Sequence, residues 1–539
     1  MDELSPPSAL PEYAASLRAT RSVARADSRS GRRFVADGWP LVVILGLQAG
    51  LSLTLVWADT AFQDEATYLW AGHLEIAHWL HGSAIPAFPA YLSGAPVLYP
   101  PVGALADSLG GLAAARILSL LFMLGATALL WGSTRRLLGR RAAFFAAVLF
   151  VVLAPTLHLG TFATYDAMSL FLLALATWFV VRAGDSQAAT RWLVGAGVVL
   201  AVANAVAYAS AAFDVVVILL ALLIPMRQLG VKTAVSRSLT VLIVGGVLIT
   251  AGLLIGGSEY THGVDVTTLQ RVPGTATALD VLGDAWTWTG AVLVAGACGV
   301  LISWFRHEGG TQTCQLAVVT AAALIGPLLQ ARLHTAASLD KHVGAGAWFA
   351  TIAAGYAVDK VIGAAPSGNG RVVTSAACVV ALALPIALGV SQARGFATSW
   401  PESSDLVAVL RPLITRTTGP VLVEDPTVAE YYLQAESQWK RWSSTRNIVL
   451  PSGLSSGGPS QAAGVVGSGN AGTYAAKITS GYFDLVALNF TDTTWLDRQI
   501  KADLSKSGRY RLIRVVPYGP IPGTNVIGTY LIWQKDVTA

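Results

Sequence analysis

Residues 39–68 read WPLVVILGLQAGLSLTLVWADTAFQDEATY, an uncharged apolar run followed closely by an Asp-Glu pair. The run from 39 to 57 is long enough to cross the ~30 Å hydrocarbon core of a bilayer as a helix. It is also longer than the apolar region of a signal peptide, and no small-residue cleavage site follows it. We therefore predict a first membrane helix at 39–57, after a disordered cytoplasmic tail at 1–38. Asp64 and Glu65 would then lie just outside this helix.

Apolar runs of the same kind recur along the chain and predict about eleven transmembrane helices. They lie at 39–57, 112–133, 142–158, 166–182, 192–208, 211–226, 238–257, 286–304, 315–330, 342–361 and 372–392. The outer loop that follows the first run, 58–111, is long and holds the proline-rich stretch Ala95–Pro101. These runs predict a polytopic α-helical membrane domain over 39–395.

The basic residues give an independent prediction of orientation, because loops on the cytoplasmic side are enriched in Lys and Arg. With the N-terminus inside, every connecting loop on the inner side contains at least one of them. They are Arg135, Arg136, Arg140, Arg141, Arg182, Arg191, Arg227, Lys232, Arg237, Arg306, Lys360 and Arg371. An odd number of crossings then places the C-terminal region on the outer side of a bacterial plasma membrane.

Composition agrees with a membrane protein and argues against several other classes. Hydrophobic residues make up 54% of the chain and charged residues only 12%, whereas soluble domains carry about 25% charged residues. The net charge of +5 is modest, and the arginines lie between apolar runs, so we expect membrane lipid and not nucleic acid as a partner. The three cysteines, Cys298, Cys314 and Cys378, all precede residue 396, so no disulfide is expected in the C-terminal region.

The character of the chain changes in residues 396–539, where apolar runs shorten to strand length. Strands are predicted at 420–424, 483–488, 510–516 and 529–533, with helices near 426–436 and 492–506. Strands that alternate with helices indicate a small three-layer α/β domain on the outer side. The Gly- and Ser-rich stretch 452–472 is predicted to be a mobile loop. No glycine fingerprint follows a strand, so nucleotide binding has no support.

Ionisable residues beside membrane spans indicate function, because they are costly there. Several are predicted at one depth, at the outer ends of their helices. They are the acidic Asp64, Glu65 and Asp166 and the basic Arg116, Arg332, Lys341 and His342. Lys or Arg at this depth would bind a lipid phosphate through charge-assisted hydrogen bonds, and a carboxylate would deprotonate an incoming hydroxyl. The combination suits transfer of a sugar from a lipid phosphate.

Each of these residues also has a purely structural interpretation. An Asp-Glu pair after a helix is commonly a solvated loop start, and Asp166 is well placed to cap a helix. Lys341 has the length to anchor its helix at the membrane surface. His73, His78 and His81 are not spaced to share one helical face, which argues against a metal site there.

The stretch Phe62–Tyr68 resembles the Asp-Glu motif of the GT-C glycosyltransferases, and its closest likeness is to family 39. This family contains the protein O-mannosyltransferases and the lipid A aminoarabinose transferases. Four further stretches support the resemblance, which covers roughly residues 39–360. They are Ala115–Ser119, Thr134–Leu137, Gly160–Met168 and Ser338–His342. The chain is most similar to actinobacterial members that carry a C-terminal extracytoplasmic domain.

The resemblance implies a polyprenyl-phosphate-linked monosaccharide as donor, with a hexosyl or pentosyl group moved to a hydroxyl of a glycan, lipid or protein. It implies that Asp64 is the catalytic base of an inverting transfer, with Glu65 assisting it and Asp166 as the second acidic residue. Lys341, His342, Arg116 and Arg332 become the candidates for binding the donor phosphate. Divalent-metal use varies in the superfamily and is left open, with Glu65 and Asp166 as the ligands if an ion is used.

The chain departs from the family at one place that bears on the phosphate ligands. Many members carry a lysine near the outer end of the fifth helix, where this chain has Val206–Ser210. The main alternative to a transferase is a transporter or flippase for a lipid-linked sugar. Such proteins show internal repeats and broken helices with charges near the midplane, features that the sequence does not display. A membrane-anchored binding protein would not need acidic and basic residues gathered at one depth.

Overall fold

The computed structural model describes residues 38–90, 92–184, 186–271, 273–364, 387–445, 471–520 and 527–536. The predicted tail 1–38, the Gly- and Ser-rich loop 452–472 and the eleventh apolar run therefore lie wholly or largely outside the described residues.

The first part of the described chain is helical. Its α-helices are α1 (Gly38–Leu53), α2 (Gln63–His81), α3 (Tyr99–Leu138), α4 (Arg140–Val151), α5 (Ala154–Leu159), α6 (Tyr165–Gly184), α7 (Ala189–Val206), α8 (Asp214–Val264), α9 (Ala278–Phe305), α10 (Gly310–Ala321), α11 (Ile325–Arg332), α12 (Leu339–Ala364) and α13 (387–397). Ten of the predicted apolar runs fall on these helices, so the predicted α-helical fold class is confirmed.

Fewer helices than predicted runs meet the length and composition needed to cross a membrane. Six do so among the described residues: Tyr99–Leu138, Tyr165–Gly184, Ala189–Val206, Tyr208–Leu269, Ala278–Phe305 and Gly310–Arg332. One cause is that Tyr208–Leu269 contains two of the predicted runs, which are separated by a break at Gly230. Another is that the predicted run 142–158 is divided between α4 and α5, where Leu153 is extended and Pro155 begins the next turn.

Helix α3 begins outside the predicted span, within the first outer loop. The prolines at 100 and 101 stand in its first turn, where a missing N–H costs nothing. Gly110 and Gly111 then interrupt the helix, with Gly111 at a φ of +67°, a conformation that glycine adopts without steric penalty. The kink separates the N-terminal half-helix from the apolar half that was predicted at 112–133, and it brings the N-terminal half against α2.

Helix α12 lies at the centre of the bundle and packs on α9 and α4 through small residues. A Cβ at Gly299 would lie 2.5 Å from the Ala353 carbonyl oxygen, and one at Gly355 would lie 2.5 Å from that of Ala142. Small residues let helix backbones approach closely in membranes. Trp348 and Phe349 fill the core around them and are fully buried. This packing fixes the N-terminal end of α12, which carries Asp340, Lys341 and His342.

The C-terminal domain contains a five-stranded sheet flanked by helices. Its elements are α14 (Ser404–Arg416), β1 (Val421–Val423), α15 (Thr427–Tyr432), β2 (Trp442–Ser444), α16 (Ala471–Thr479), β3 (Leu485–Leu488), α17 (Thr494–Ser507), β4 (Tyr510–Tyr518) and β5 (Gly528–Lys535). The four predicted strands and two predicted helices are confirmed. Strand β2 and helices α14 and α16 were not predicted.

The strand order is β2-β1-β3-β5-β4, in which β1 runs parallel to β2 and β3 while β5 runs antiparallel to β3 and β4. Alternate residues of each strand face opposite sides. Val421 and Val423 therefore join the core beneath α14 and α15, and Leu422 joins the core beneath α16 and α17. The predicted three-layer α/β arrangement is confirmed.

A buried carboxylate ties the sheet to α17. Glu424, which follows β1, accepts hydrogen bonds of 2.6–3.0 Å from the five consecutive backbone N–H groups of residues 489–493. Consecutive N–H groups of this kind form an anion-binding concavity. Here the chain's own glutamate occupies it, so the loop serves the stability of the domain.

Candidate functional site

The N-terminus of α2 presents the Asp-Glu pair at the boundary between the two domains. Asp64 and Glu65 lie in the first turn of α2, where a negative charge is favoured by the helix dipole. Glu65 is fully buried and Asp64 has a side-chain exposure of 33%. Adjacent positions of one helix therefore place one carboxylate in the core and leave the other partly exposed.

Glu65 is held by a network that uses both of its oxygens twice. Arg116 donates to it from Nε at 2.8 Å and from Nη2 at 2.7 Å. The backbone N–H of Ala163 donates to Oε1 at 2.8 Å, and that of Phe62 donates to Oε2 at 3.0 Å. Glu65 thus joins α2, α3 and the segment before α6, and neither of its oxygens is left for a substrate or a metal ion.

All the hydrogen-bond donors of the Arg116 side chain are used by groups of the protein. Besides its two hydrogen bonds to Glu65, its guanidinium donates to the carbonyl oxygens of Val56, Asp59 and Thr60 at 2.8, 3.0 and 3.2 Å. These contacts use all five N–H donors of an arginine, and the side chain is only 2% exposed. The prediction that Arg116 binds the donor phosphate therefore does not fit this structure. Its role is to hold Glu65 and the segment before α2.

Lys341 stands between the other two predicted acidic residues. Its Nζ lies 2.5 Å from Asp64 Oδ2 and 3.9 Å from Asp166 Oδ2. The lysine side chain is 6% exposed and that of Asp166 is 10% exposed, so Asp64 is the most accessible of the three. Asp166 also accepts a hydrogen bond of 2.8 Å from the Thr164 hydroxyl. Three helices, α2, α6 and α12, thus bring these residues together from distant parts of the sequence.

The neighbours of Lys341 on α12 make their own contacts. Asp340 pairs with His158 Nε2 at 3.1 Å, which fixes the start of α12 against α5. His342 is hydrogen-bonded through Nδ1 to the side chain of Gln330 on α11. Arg332, the last residue of α11, is exposed. The four predicted phosphate ligands therefore differ: Lys341 and His342 lie at the site, Arg332 is exposed at the end of α11, and the donors of Arg116 are all used by Glu65 and backbone carbonyl oxygens.

Three residues near the site were not among the predicted site residues. Tyr68 and Tyr165 stack edge to face, with ring centroids 4.6 Å apart. Burial raises the pKa of Tyr68 well above its ordinary value, and the nearby Tyr165 and Asp64 add to the shift, so its hydroxyl remains a hydrogen-bond donor. The third is Arg271, which interacts electrostatically with His342. Tyr68 could have been found from the sequence, since it stands four residues after Asp64 on the same helical face.

The three histidines of α2 do not form a cluster. His73 Nε2 pairs with Asp107 at 2.7 Å, whereas His78 Nδ1 bonds the carbonyl oxygen of Ser83 at 2.7 Å. Among the described residues, no group of three or more His, Cys, Asp or Glu side chains is arranged to hold a metal ion. Metal use stays open, and of the two predicted ligands only Asp166 has an oxygen outside the Glu65–Arg116 network.

The arrangement of these helices is known from other membrane proteins. It is similar to the crystal structure of ArnT from Cupriavidus metallidurans bound to undecaprenyl phosphate, with a TM-score of 0.58 and 13% sequence identity over 92% of this chain and 98% of that chain. This likeness shows that the chain shares the fold of that protein. The predicted GT-C fold is thereby confirmed.

Two archaeal structures share the GT-C fold over a similar part of the chain. The apo oligosaccharyltransferase of Archaeoglobus fulgidus matches with a TM-score of 0.55 and 12% identity, over 90% of this chain and 76% of that chain. AglB of the same organism, in complex with an inhibitory peptide and a dolichol-phosphate, matches with a TM-score of 0.53 and 12% identity, over 91% of this chain and 74% of that chain.

Comparison at the sequence level is more limited. A family model described as dolichyl-phosphate-mannose-protein mannosyltransferase matches residues 104–251. No curated protein sequence matches the chain. The matched segment contains Arg116 and Asp166 but neither Asp64 nor Lys341.

Proposed function

We propose that the protein is a membrane glycosyltransferase that moves one monosaccharide from a polyprenyl-phosphate donor to an acceptor hydroxyl at the outer membrane surface. The observation that carries the proposal is Lys341 Nζ between the carboxylates of Asp64 and Asp166, at the N-terminal ends of three helices. The GT-C fold supports it, as does the match of residues 104–251 to the dolichyl-phosphate-mannose-protein mannosyltransferase family.

Asp64 is the base in this proposal, because it is the most exposed of the three carboxylates around the site. It takes the proton of the acceptor hydroxyl while that oxygen forms a bond to the anomeric carbon of the donor. The bond between the anomeric carbon and the phosphate oxygen breaks, and its electron pair leaves with the polyprenyl phosphate. Attack from the face opposite the leaving group inverts the anomeric centre.

In this proposal, Lys341 pairs with Asp64 and then with the donor phosphate. In the structure it pairs with Asp64 at 2.5 Å, which occupies the base. The donor phosphodiester carries one negative charge shared by its two unesterified oxygens, and it competes with Asp64 for the ammonium group through charge-assisted hydrogen bonds. Binding of the donor would thereby draw Lys341 from Asp64 and free that carboxylate for the acceptor. His342, Arg271 and the exposed Arg332 are the further candidates for the phosphate.

In this proposal, Glu65 and Arg116 hold the backbone near Asp64 in place and do not contact the substrate. Their buried hydrogen-bond network fixes the first turn of α2 and the segment 56–60 before it. Asp166 would hold Lys341 from the opposite side, and Tyr68 would offer a neutral hydroxyl to the sugar.

The same proposal includes the orientation of the chain. The N-terminus and tail 1–38 would be cytoplasmic, 39–395 would form the membrane domain, and 396–539 would be the extracytoplasmic α/β domain. The acceptor would be a glycan, lipid or protein hydroxyl that arrives from the outer side.

One experiment separates a transferase from a flippase. The purified full-length protein is placed in liposomes with a panel of polyprenyl-phosphate hexoses and pentoses, and the lipids are analysed by mass spectrometry. A transferase releases polyprenyl phosphate from at least one donor when hydroxyl acceptors or water are present. Movement of intact donor between leaflets, without any release by the wild-type chain, would favour the flippase and overturn the proposal.

A further inference from the structure

The C-terminal domain touches the segment that leads into Asp64. Trp400 Nε1 donates to the Thr60 carbonyl oxygen at 3.0 Å, and the backbone N–H of Ser403 donates to the Thr60 hydroxyl at 3.0 Å. The backbone N–H of Ala61 donates to the Tyr432 hydroxyl at 2.9 Å. Three hydrogen bonds from two different parts of the domain thus end on two adjacent residues.

Aromatic packing strengthens the same contact. The Trp400 ring lies with its centroid 5.2 Å from that of Phe62 and 6.0 Å from that of Phe162. These two phenylalanines stand beside the active-site residues, since Phe62 precedes α2 and the Phe162 ring lies 5.5 Å from Lys341 Nζ. Trp400 therefore packs directly behind the site.

A second contact lies farther along α2. Tyr431 donates its hydroxyl to Asp107 at 2.6 Å, and the other oxygen of Asp107 pairs with His73 at 2.7 Å. Tyr431 is itself buried among Ala61, Ala66 and Leu69. The adjacent tyrosines of α15 thus hold both the segment before α2 and the middle of α2.

The hydrogen bond from Ala61 to Tyr432 has no ready substitute. Ala61 is 1% exposed, so its N–H cannot turn to water when the tyrosine hydroxyl is removed. Arg116 holds the same segment from the membrane side through the carbonyl oxygens of Asp59 and Thr60. The segment is therefore clamped between the two domains, three residues before Asp64.

We propose that Tyr432 is a positioning residue, and that the C-terminal domain serves catalysis by holding segment 59–62 so that Asp64 faces the acceptor. The catalytic part of this inference rests on the proposed function, whereas the positional part does not. Displacement of a reacting group by about 1 Å can cost 10²-fold in rate, so loss of the clamp should lower turnover. Donor binding should change little, because Lys341 is held by α12.

The positional part is tested by hydrogen exchange on the full-length protein in nanodiscs. Tyr432→Phe removes the hydroxyl and keeps the ring, and Tyr474→Phe is the matched control. The Tyr474 hydroxyl is bonded to the Ser444 carbonyl oxygen, within the C-terminal domain. We expect exchange of peptides covering residues 59–64 to accelerate by roughly two- to tenfold in Tyr432→Phe, the range for one lost hydrogen bond. Unchanged exchange in this segment, or equal acceleration in both variants, would overturn the positional role.

The catalytic part is tested with whichever donor the liposome panel identifies. Tyr432→Phe should lower kcat for release of polyprenyl phosphate by about tenfold or more and leave the affinity for polyprenyl phosphate within about twofold. Tyr474→Phe should retain wild-type kcat. Equal kcat in the two variants, despite faster exchange in Tyr432→Phe, would overturn the catalytic part. If the wild-type chain releases no polyprenyl phosphate, the proposed function fails, and the exchange measurement still decides the positional part.

Discussion

Replacing Arg116 with methionine should destabilise the protein by roughly 3–5 kcal/mol, the cost of breaking a buried ion pair by removing one partner. Glu65 is fully buried and would be left with only the N–H groups of Ala163 and Phe62 as donors. The carbonyl oxygens of Val56, Asp59 and Thr60 would each lose a donor as well. The expected loss of unfolding free energy is therefore large for a single substitution.

The assay is equilibrium unfolding of the full-length protein in mixed micelles, followed by tryptophan fluorescence. Arg141→Met is the matched control, since Arg141 also pairs with one carboxylate, Asp359 at 3.0 Å, but is 54% exposed. An exposed pair contributes only ~0–1 kcal/mol. The double variant Glu65→Leu/Arg116→Met should recover part of the loss, because no buried charge remains without a partner. Equal destabilisation by Arg116→Met and Arg141→Met would refute this account of the network.

Three further predictions concern binding, pH and topology. Lys341→Met should weaken the binding of polyprenyl phosphate in nanodiscs by about tenfold to two-hundredfold, because it removes a charge-assisted hydrogen bond. If the variant is as stable as the wild type and binds polyprenyl phosphate with the same affinity, Lys341 does not bind the phosphate. Burial raises the pKa of Glu430 to about 8, so the folded state retains this proton to higher pH than the unfolded state does. The free energy of unfolding should therefore fall as pH rises from about 4.5 to about 8, by up to ~1.4 kcal/mol per unit. Glu430→Gln should abolish that part of the pH dependence, and parallel pH profiles for both proteins would contradict it. For topology, accessibility labelling is done in a chain without its natural cysteines. Thr233→Cys should be labelled from the inside and Ser480→Cys from the outside. Labelling of both cysteines from the same side would contradict the predicted orientation.

The meeting of Asp64, Asp166 and Lys341 could be predicted because two signals in the sequence agree. Apolar runs gave the order of the helices, and the basic loops gave their direction, so residues far apart in the chain fell at one depth. The strands β1, β3, β4 and β5 could also be predicted, since each is an apolar run of strand length beside a turn or helix signal.

The role of Arg116 could not be read from the sequence. Its prediction rested on depth and charge, whereas its actual partners include three backbone carbonyl oxygens of residues 56–60. Backbone acceptors are present at every position and leave no mark in a sequence. Strand β2 was missed for a related reason: it has only three residues, Trp442–Ser444, and two of them are serines.

The contact between the domains was equally beyond prediction. Ala61 and Tyr432 are 371 residues apart, and neither stretch carries a motif that indicates the other. What the sequence does indicate is that aromatic residues are gathered in α15, where Tyr431 and Tyr432 lie side by side with ring centroids 4.7 Å apart. Only the folded chain shows that both hydroxyls are directed at the site's supporting elements.

Turnover by Asp64→Asn tests directly whether Asp64 is the catalytic base, because asparagine keeps the shape of the side chain and removes its basicity. With a donor identified from the panel, release of polyprenyl phosphate should fall by at least ~10²-fold, the usual contribution of general base catalysis. The matched control is Asp280→Asn, at the start of α9, whose carboxylate is exposed and accepts a hydrogen bond from the Thr277 hydroxyl. The account predicts wild-type turnover for Asp280→Asn and nearly none for Asp64→Asn, with binding of polyprenyl phosphate retained in both. Near-normal turnover by purified Asp64→Asn would contradict it.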